Sequence, residues 1–410
     1  MNKFLVLYSD TFLWYSNAEG VLYNCKSAQL QHFELTSTLL RYCKLINDFN
    51  NMYAISILPD DEKDPVFCEW LNKIVELEFG MIKEQYPNQK KPFNFPPILN
   101  LRCEIEEKCM NDSLYRASSI ANNFHEITFL LGGEILPDNE VGYFKQTYYP
   151  ISTHICLEAN DIFSLLNSSN INYLQQINLI CNNLYGYHNI ITLVEKLCTY
   201  NKPLVLFFKG RKSKLLENLV DCLKSNICSL KMYFTDIESF QSINTLFNNK
   251  NIDYQWIFII KDENDYKIAE DVIGQYNIIN YKLVPVLQND LNEMTFFRNN
   301  VFITFFELSN TKLSKQNIFC NQVINSNYWG KLFVTPERKV YTNLNSKALG
   351  TINDDLMCLI RTEMKDDMSD WKCTREKVVP CNDCIYRFLC PPPSNYEFIL
   401  NRFNLCTIKE

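Results

Sequence analysis

The sequence has little of what most hydrolytic and metal-dependent chemistry draws on, with only four histidines in 410 residues. His32, His125, His154 and His188 stand apart from one another, so neither an H-x3-H metal pair nor a Cys–His nucleophile pair can be read from it. Positive charge is not in excess either. Forty Lys and Arg face 47 Asp and Glu, a net charge of −7, which argues against nucleic acid as the main partner because phosphate neutralisation calls for clustered cations. No apolar run approaches the roughly 18 residues that a membrane span needs. The opening stretch "MNKFLVLYSDTFLWYSN" is broken by Asp10, and no small-residue cleavage site follows. The expectation is a cytoplasmic protein with no membrane partner. No repeat of twenty to fifty residues is visible, which excludes a solenoid.

What is present is ample core material, 47% hydrophobic residues over a length that favours two or three domains. Residues 1–92 read as short strands, "FLVLYS", "TFLWYSN", "GVLYN" and "MYAISIL", with amphipathic helical stretches around "AQLQHFELTSTLLRYCKLINDF" and "DPVFCEWLNKIVELEFGMIKEQ". This pattern suggests a small α+β, winged-helix-like module. The proline-rich "YPNQKKPFNFPPILNLR" ends it as a linker. Residues 93–300 carry six apolar runs, "EITFLLGG", "QINLIC", "PLVLFFK", "SLKMYFT", "DYQWIFIIK" and "YKLVPVL", separated by amphipathic segments. Apolar strands alternating with helices mark βα units around a parallel sheet. Six units are too few for a complete eight-stranded barrel, so an open sheet or partial (β/α)6 barrel is expected. In residues 301–410 a hairpin, "YWGKLFVTPERKVYTNLN", and a helix, "CLIRTEMKDDM", precede a cysteine-rich tail.

Seventeen cysteines are many for a reducing compartment that disfavours structural disulfides. Twelve are scattered singly, such as Cys43, Cys156, Cys181 and Cys198, and read as small buried hydrophobes. The other five, Cys373, Cys381, Cys384, Cys390 and Cys406, lie after residue 370. A C-x2-C pair on a tight turn puts two sulfurs on one centre at little conformational cost. Cys381, Cys384 and Cys390 supply three candidate ligands, with Cys406 the nearest fourth. Spacing alone leaves Zn²⁺ and a [4Fe-4S] cluster both open.

The tail "CNDCIYRFLCPPPSNYE" followed by "NLC" resembles the SPASM extension of radical-SAM peptide maturases. It resembles still more closely the pseudo-radical-SAM proteins of GG-type Bacteroidales peptide systems. "KPFNFPP", "FHEITF", "YFKQ" and "WGKL" are also similar to that group, so the resemblance covers most of the chain. The SPASM pattern runs C-x2-C-x5-C-x3-C and then a last Cys. This chain matches the first three, has Ser394 at the fourth place and offers Cys406 for the last. The resemblance implies one surviving four-thiolate site, a [4Fe-4S] cluster or else Zn²⁺, and loss of a second. Asn343, which stands where the hairpin would end in Cys, agrees with that loss, and Cys320 would be a leftover ligand. It also implies a radical-SAM-like barrel, a leader-peptide recognition-like module at the N-terminus and a metal-binding C-terminal extension.

The radical-SAM triplet C-x3-C-x2-C is missing from "GGEILPDNEVGYFKQ", the segment that should carry it, and from the rest of the chain. No SAM binding and no radical reaction are therefore expected. "LLGGEIL" reads as a strand-ending turn rather than a SAM motif. "KGRKSK", with Lys209, Arg211, Lys212 and Lys214, lacks P-loop spacing and reads as a solvated cluster.

A leader peptide suits an exposed strand edge beside a helix groove. Val21, Leu22 and Tyr23 are the expected edge, with Leu39, Leu40 and Cys43 on the groove helix. The function expected is a non-catalytic accessory protein that binds a ribosomally made precursor peptide, a partner radical-SAM maturase, or both. The alternatives are an electron relay through the surviving cluster and an enzyme with a repurposed, non-radical site at the barrel mouth.

Overall fold

A computed structural model describes residues 2–86, 89–97, 124–133, 137–168, 173–182, 184, 187, 189–223, 228–248, 252–287 and 294–408. The N-terminal region holds two antiparallel three-stranded sheets. One is ordered β5-β1-β6, with β1 Asn2–Leu7, β5 Ala54–Ile57 and β6 Gly80–Gln85. The other is ordered β2-β3-β4, with β2 Thr11–Tyr15, β3 Glu19–Asn24 and β4 Gln29–Glu34.

Two helices complete the module. α1 (Ser37–Asn47) starts where Thr36 accepts a hydrogen bond from Leu39 N, and it buries Leu39, Tyr42, Cys43 and Ile46 at helical spacing. α2 (Pro65–Glu76) is capped by Asp64, begins on Pro65, and buries Phe67, Trp70, Leu71 and Ile74. These side chains form one core with Leu5, Leu7, Leu13 and Leu22.

The six apolar runs are six strands: β7 Glu126–Gly132, β8 Gln176–Cys181, β9 Leu204–Lys209, β10 Cys228–Tyr233, β11 Asp253–Ile260 and β12 Tyr281–Pro285. They pair in parallel and in chain order. The connections contain α3 Ala159–Ser168, α4 Ile190–Cys198, α5 Lys214–Cys222, α6 Ile237–Asn248 and α7 Glu263–Tyr276. Alternate strand residues such as Ile127, Leu179, Leu206, Leu230 and Phe258 share a core with Ile162, Leu193, Leu219, Ile243 and Val272 of these helices. The helices therefore cover one face, as same-handed crossovers require.

After α8 (Met294–Val301), α9 (Phe305–Asn310) and α10 (Lys315–Val323), the chain returns to the sheet. β13 (Lys331–Val334) pairs in parallel with β7, and β14 (Lys339–Tyr341) and β15 (Gly350–Thr351) follow antiparallel, giving nine strands. One sheet thus crosses the domain boundary expected near residue 300. α11 (Leu356–Lys365) and α12 (Asn395–Leu400) complete the tail. No helix among the described residues is long and apolar enough to cross a membrane.

Candidate functional site

The inner face of the large sheet, opposite the helices, is where a barrel would keep a cavity. By register it presents Glu126 and Thr128 on β7, Asn178 on β8, Phe207 on β9, Lys231 on β10, Lys282 on β12, and Lys331 and Phe333 on β13. Strand alternation places them there, because their odd and even neighbours enter the helical core. Part of this face is covered. The connection after β7 folds back across this face, and Tyr143, Tyr149 and Ile151 are buried against Leu130, Ile180, Val205, Tyr233 and Ile257.

Tyr148 sits in the middle of this packing. Its ring stacks on Phe207 at 4.9 Å and its hydroxyl donates to Glu126 Oε1 at 2.6 Å. The same carboxylate oxygen accepts Asn178 Nδ2 at 2.7 Å, and Asn178 Nδ2 also reaches Thr128 Oγ1 at 3.0 Å. Burial, followed by the neighbouring Glu126 charge, holds the Tyr148 hydroxyl well above its ordinary pKa. The Glu126 oxygen is thus engaged by two donors in a network of the kind that rigidifies a core.

Gly132 makes the turn into this connection. It has φ +74°, and a Cβ there would lie 2.2 Å from Ile155 O, so the strand must end in glycine. The reading of "LLGG" as a strand-ending turn agrees, while Glu134 of that motif lies outside the described residues.

At the carboxyl end of the sheet a cleft of about 390 Å³ is floored by Phe234, Phe258 and Ile260. Lys209 faces it, but not as part of a solvated cluster. It is 8% exposed, and its Nζ donates to Glu140 Oε2 at 2.6 Å, an oxygen that also accepts the Tyr149 hydroxyl at 2.7 Å. Arg211, Lys212 and Lys214 are exposed, as the solvated reading expects. The sequence signal for the Lys209–Glu140 pair was weak, since a strand-ending Lys and a loop Glu 69 positions apart carry no local spacing.

A second cleft, of about 320 Å³, opens between β12 and β13, which stand six places apart in the sheet, so the sheet curls toward itself. The tail closes one side of it. Asn395 Nδ2 donates to Gln146 O at 3.1 Å and the Tyr396 hydroxyl to Pro285 O at 2.6 Å.

The tail thiols are neighbours without being gathered on one point. Burial first raises the Cys390 thiol, to about 12, with Cys384, Cys381 and Cys406 adding to the rise and Arg375 opposing it. Cys381 is also raised, by burial above all. Its thiol donates to Phe403 O at 2.9 Å, and Arg375 Nη1 lies 3.8 Å from its Sγ. Among the described residues no three His, Cys, Asp or Glu side chains are arranged as a metal site. What visibly holds the tail is an ion pair. Arg375 Nη2 donates to Glu397 Oε2 at 3.0 Å and Nη1 to Oε1, while Arg375 Nε reaches Pro391 O at 2.8 Å.

Asn343, where the tail resemblance would place a cysteine, is fully buried, and its Oδ1 accepts Asn345 N at 2.9 Å. Cys320 lines an apolar groove on α10. Of the histidines, His32 meets Glu19 at 3.0 Å, burial lowers the pKa of His125, His154 is exposed, and His188 lies outside the described residues.

The N-terminal edge expectation needs correction. β3 is an inner strand, paired with β2 over Gly20–Asn24 and with β4 over Glu19–Asn24. Val21, Leu22 and Tyr23 are at most 1% exposed. The cause is β4, which forms in a stretch whose sequence reads as the start of a helix. Leu22, Leu39 and Cys43 fill the module's core, and Leu40 is half-buried. Val21 and Tyr23 face the opposite way, packing with Phe12 and Trp14 against Ile385, Phe388 and Leu389 of the tail. The Tyr23 hydroxyl accepts Leu313 N at 2.7 Å. Five of these side chains therefore join elements of this chain rather than presenting an edge, and Leu40 stands half-buried on α1.

No family model and no curated protein matches the chain. Among solved structures, Streptococcus suis SuiB bound to S-adenosylmethionine is similar at 11% identity and TM-score 0.46, covering 98% of this chain and 100% of that one. SuiB bound to precursor peptide SuiA has TM-score 0.49 at 11% identity, with the same coverage. Native anSMEcpe with bound AdoMet has TM-score 0.42 at 11% identity, over 65% of this chain and 88% of that one.

Proposed function

We propose that this chain is a non-catalytic relative of radical-SAM peptide maturases, which holds the precursor of a ribosomally made peptide for a separate, active maturase. One observation carries the reading. The connection after β7, where the cluster-binding triplet would have to stand, holds a single cysteine, Cys156, in place of three, and it seats Tyr148 on Glu126 and Phe207 inside the sheet. That segment takes up part of the interior in which such an enzyme would carry its cluster and substrate. The chain order of the six parallel strands and the tail motif support descent from such an enzyme.

The tail motif, with Cys381, Cys384, Cys390 and Cys406, supports a four-thiolate group, while the described residues show no three ligating side chains already arranged for one. Those four cysteines would hold a [4Fe-4S] cluster or Zn²⁺, which when bound would fasten the terminal loop. A fully thiolate-ligated cluster would also permit electron transfer, which is the second reading, a relay to the partner. Metal analysis after anaerobic purification separates the two, because zinc alone excludes the relay.

The test of the main reading is co-purification from a cell that makes the gene products encoded beside this one. A complex containing a precursor peptide or a radical-SAM maturase is the expected result. Recovery of this chain alone, at stoichiometric expression of its neighbours, would contradict it.

A further inference from the structure

The cleft between β12 and β13 carries a charge that the chain as a whole does not. Lys145, Lys282 and Lys331 line it, no Asp or Glu does, and none of the three lysines has an ion-pair partner among the described residues. This is unlike Lys209, Lys214 and Lys261, each of which faces a carboxylate within 4 Å. Acidic residues outnumber basic ones by 47 to 40 over the chain, so three unpartnered cations in one cleft are a local reversal of sign.

The surroundings add to it. Lys231 stands on the same inner face with its ammonium 5.2 Å from the centre of the Phe207 ring. Its pKa is lowered, by burial first and by the Lys282 charge next. Glu126, the carboxylate beside Lys331 in the β7–β13 register, offsets part of this charge and, with Asp253, opposes the lowering of the Lys231 pKa. Like charges that outnumber their counter-ions cost stability unless a ligand of opposite sign offsets them.

The walls are apolar and aromatic, with Phe144, Phe333 and Tyr396 prominent, which suits a chain with spaced side chains better than a bare inorganic ion. We propose that this cleft binds an acidic peptide segment, its Asp or Glu carboxylates taken by Lys145, Lys282 and Lys331 and its backbone laid against Phe144, Phe333 and Tyr396. The proposal rests on the peptide-holding reading above and specifies the kind of peptide. Its test does not need the natural precursor, so the two stand or fall separately.

The probe is a fluorescein-labelled peptide alternating Glu and Ala, compared by anisotropy with its Gln–Ala counterpart on the full chain. Binding of the Glu peptide, weakened by added salt, is expected. Each exposed charge pair contributes about 0.2–1 kcal/mol, so the triple variant K145Q/K282Q/K331Q should weaken binding about tenfold. The control variant K212Q/K267Q/K347Q, at exposed lysines outside the cleft, should bind as the parent does. If the triple variant melts early, the single charge reversal Lys282→Glu serves in its place. Equal affinity for the Gln peptide, unchanged binding by both cleft variants, or displacement by inorganic phosphate at an ionic strength where chloride has no effect would overturn the proposal. Failure to recover a natural precursor in the co-purification would instead sink the broader reading and leave this one standing.

Discussion

The Tyr148 hydroxyl donates to Glu126 Oε1 at 2.6 Å, joining the connection after β7 to the first strand of the large sheet across its inner face. That bond fixes the segment against the amino-terminal end of the first strand. If the segment is a structural plug, it should behave as core. Tyr148→Phe keeps the stack on Phe207 and leaves a half-buried carboxylate with one donor fewer, at a cost of about 1 kcal/mol. Tyr148→Ala also removes the ring and should cost about 3–5 kcal/mol. Chemical denaturation, with Tyr281→Ala on the partly exposed edge strand as control, measures both. Equal midpoints for Y148A and Y281A would show that the segment is not packed as described.

The Arg375–Glu397 pair is 5% and 1% exposed. Removing one partner strands a buried charge, so Arg375→Met should cost about 3–5 kcal/mol, whereas Arg375→Met with Glu397→Met should recover much of that loss. Limited proteolysis of residues 381–408 reports the tail directly. The single variant should be cut faster than the double one, and the reverse order would argue against a clasp.

Glu363 is 7% exposed, and burial raises its pKa to about 7, with Asp370 and Asp366 adding to the rise and a hydrogen bond from Trp371 N opposing it. Because the folded value lies above the unfolded one, the stabilisation is complete below about 4.5, falls as pH rises through that interval, and is gone above about 7. The loss is on the order of 3 kcal/mol. Glu363→Gln keeps the oxygen that accepts Trp371 N and should flatten stability between those values. A parent whose melting temperature does not fall across the window would contradict the assignment.

If the tail thiols hold one metal centre, Cys384→Ala should lower bound metal and solubility together, since an incomplete ligand set leaves the chain end unfastened. Iron, sulfide and zinc analysis checks it. Unchanged metal stoichiometry would mean that the ligands are elsewhere.

The central sheet was legible because strands buried on both faces read as unbroken apolar runs. "PLVLFFK" and "QINLIC" needed no tertiary information, and the helices between them showed their buried stripes. β4 was not legible. "QLQHFE" lies directly before α1 and has too few apolar residues to separate alternation from helical spacing, and pairing with β3 settles what propensity leaves open. That one strand turned the expected edge into an interior.

β6 was hidden in the same way, inside a stretch read as one helix. The helix stops at Glu76, Glu78 takes φ +59°, and Gly80 begins a strand. The polar inner-face residues Glu126, Thr128 and Asn178 were visible as polar positions in apolar runs, but their convergence on Tyr148 spans up to 52 positions, which no local spacing encodes. The tail motif was the most legible chemistry. The Arg375–Glu397 pair threaded through it was not, because neither residue belongs to the cysteine pattern.

The most direct test of the central claim is anaerobic incubation of the full chain, after reconstitution with iron and sulfide, with S-adenosylmethionine and a strong reductant, followed by quantification of 5′-deoxyadenosine. With Tyr148 and its neighbours occupying the inner face, none should form above the protein-free control. Catalytic release of 5′-deoxyadenosine would contradict the account.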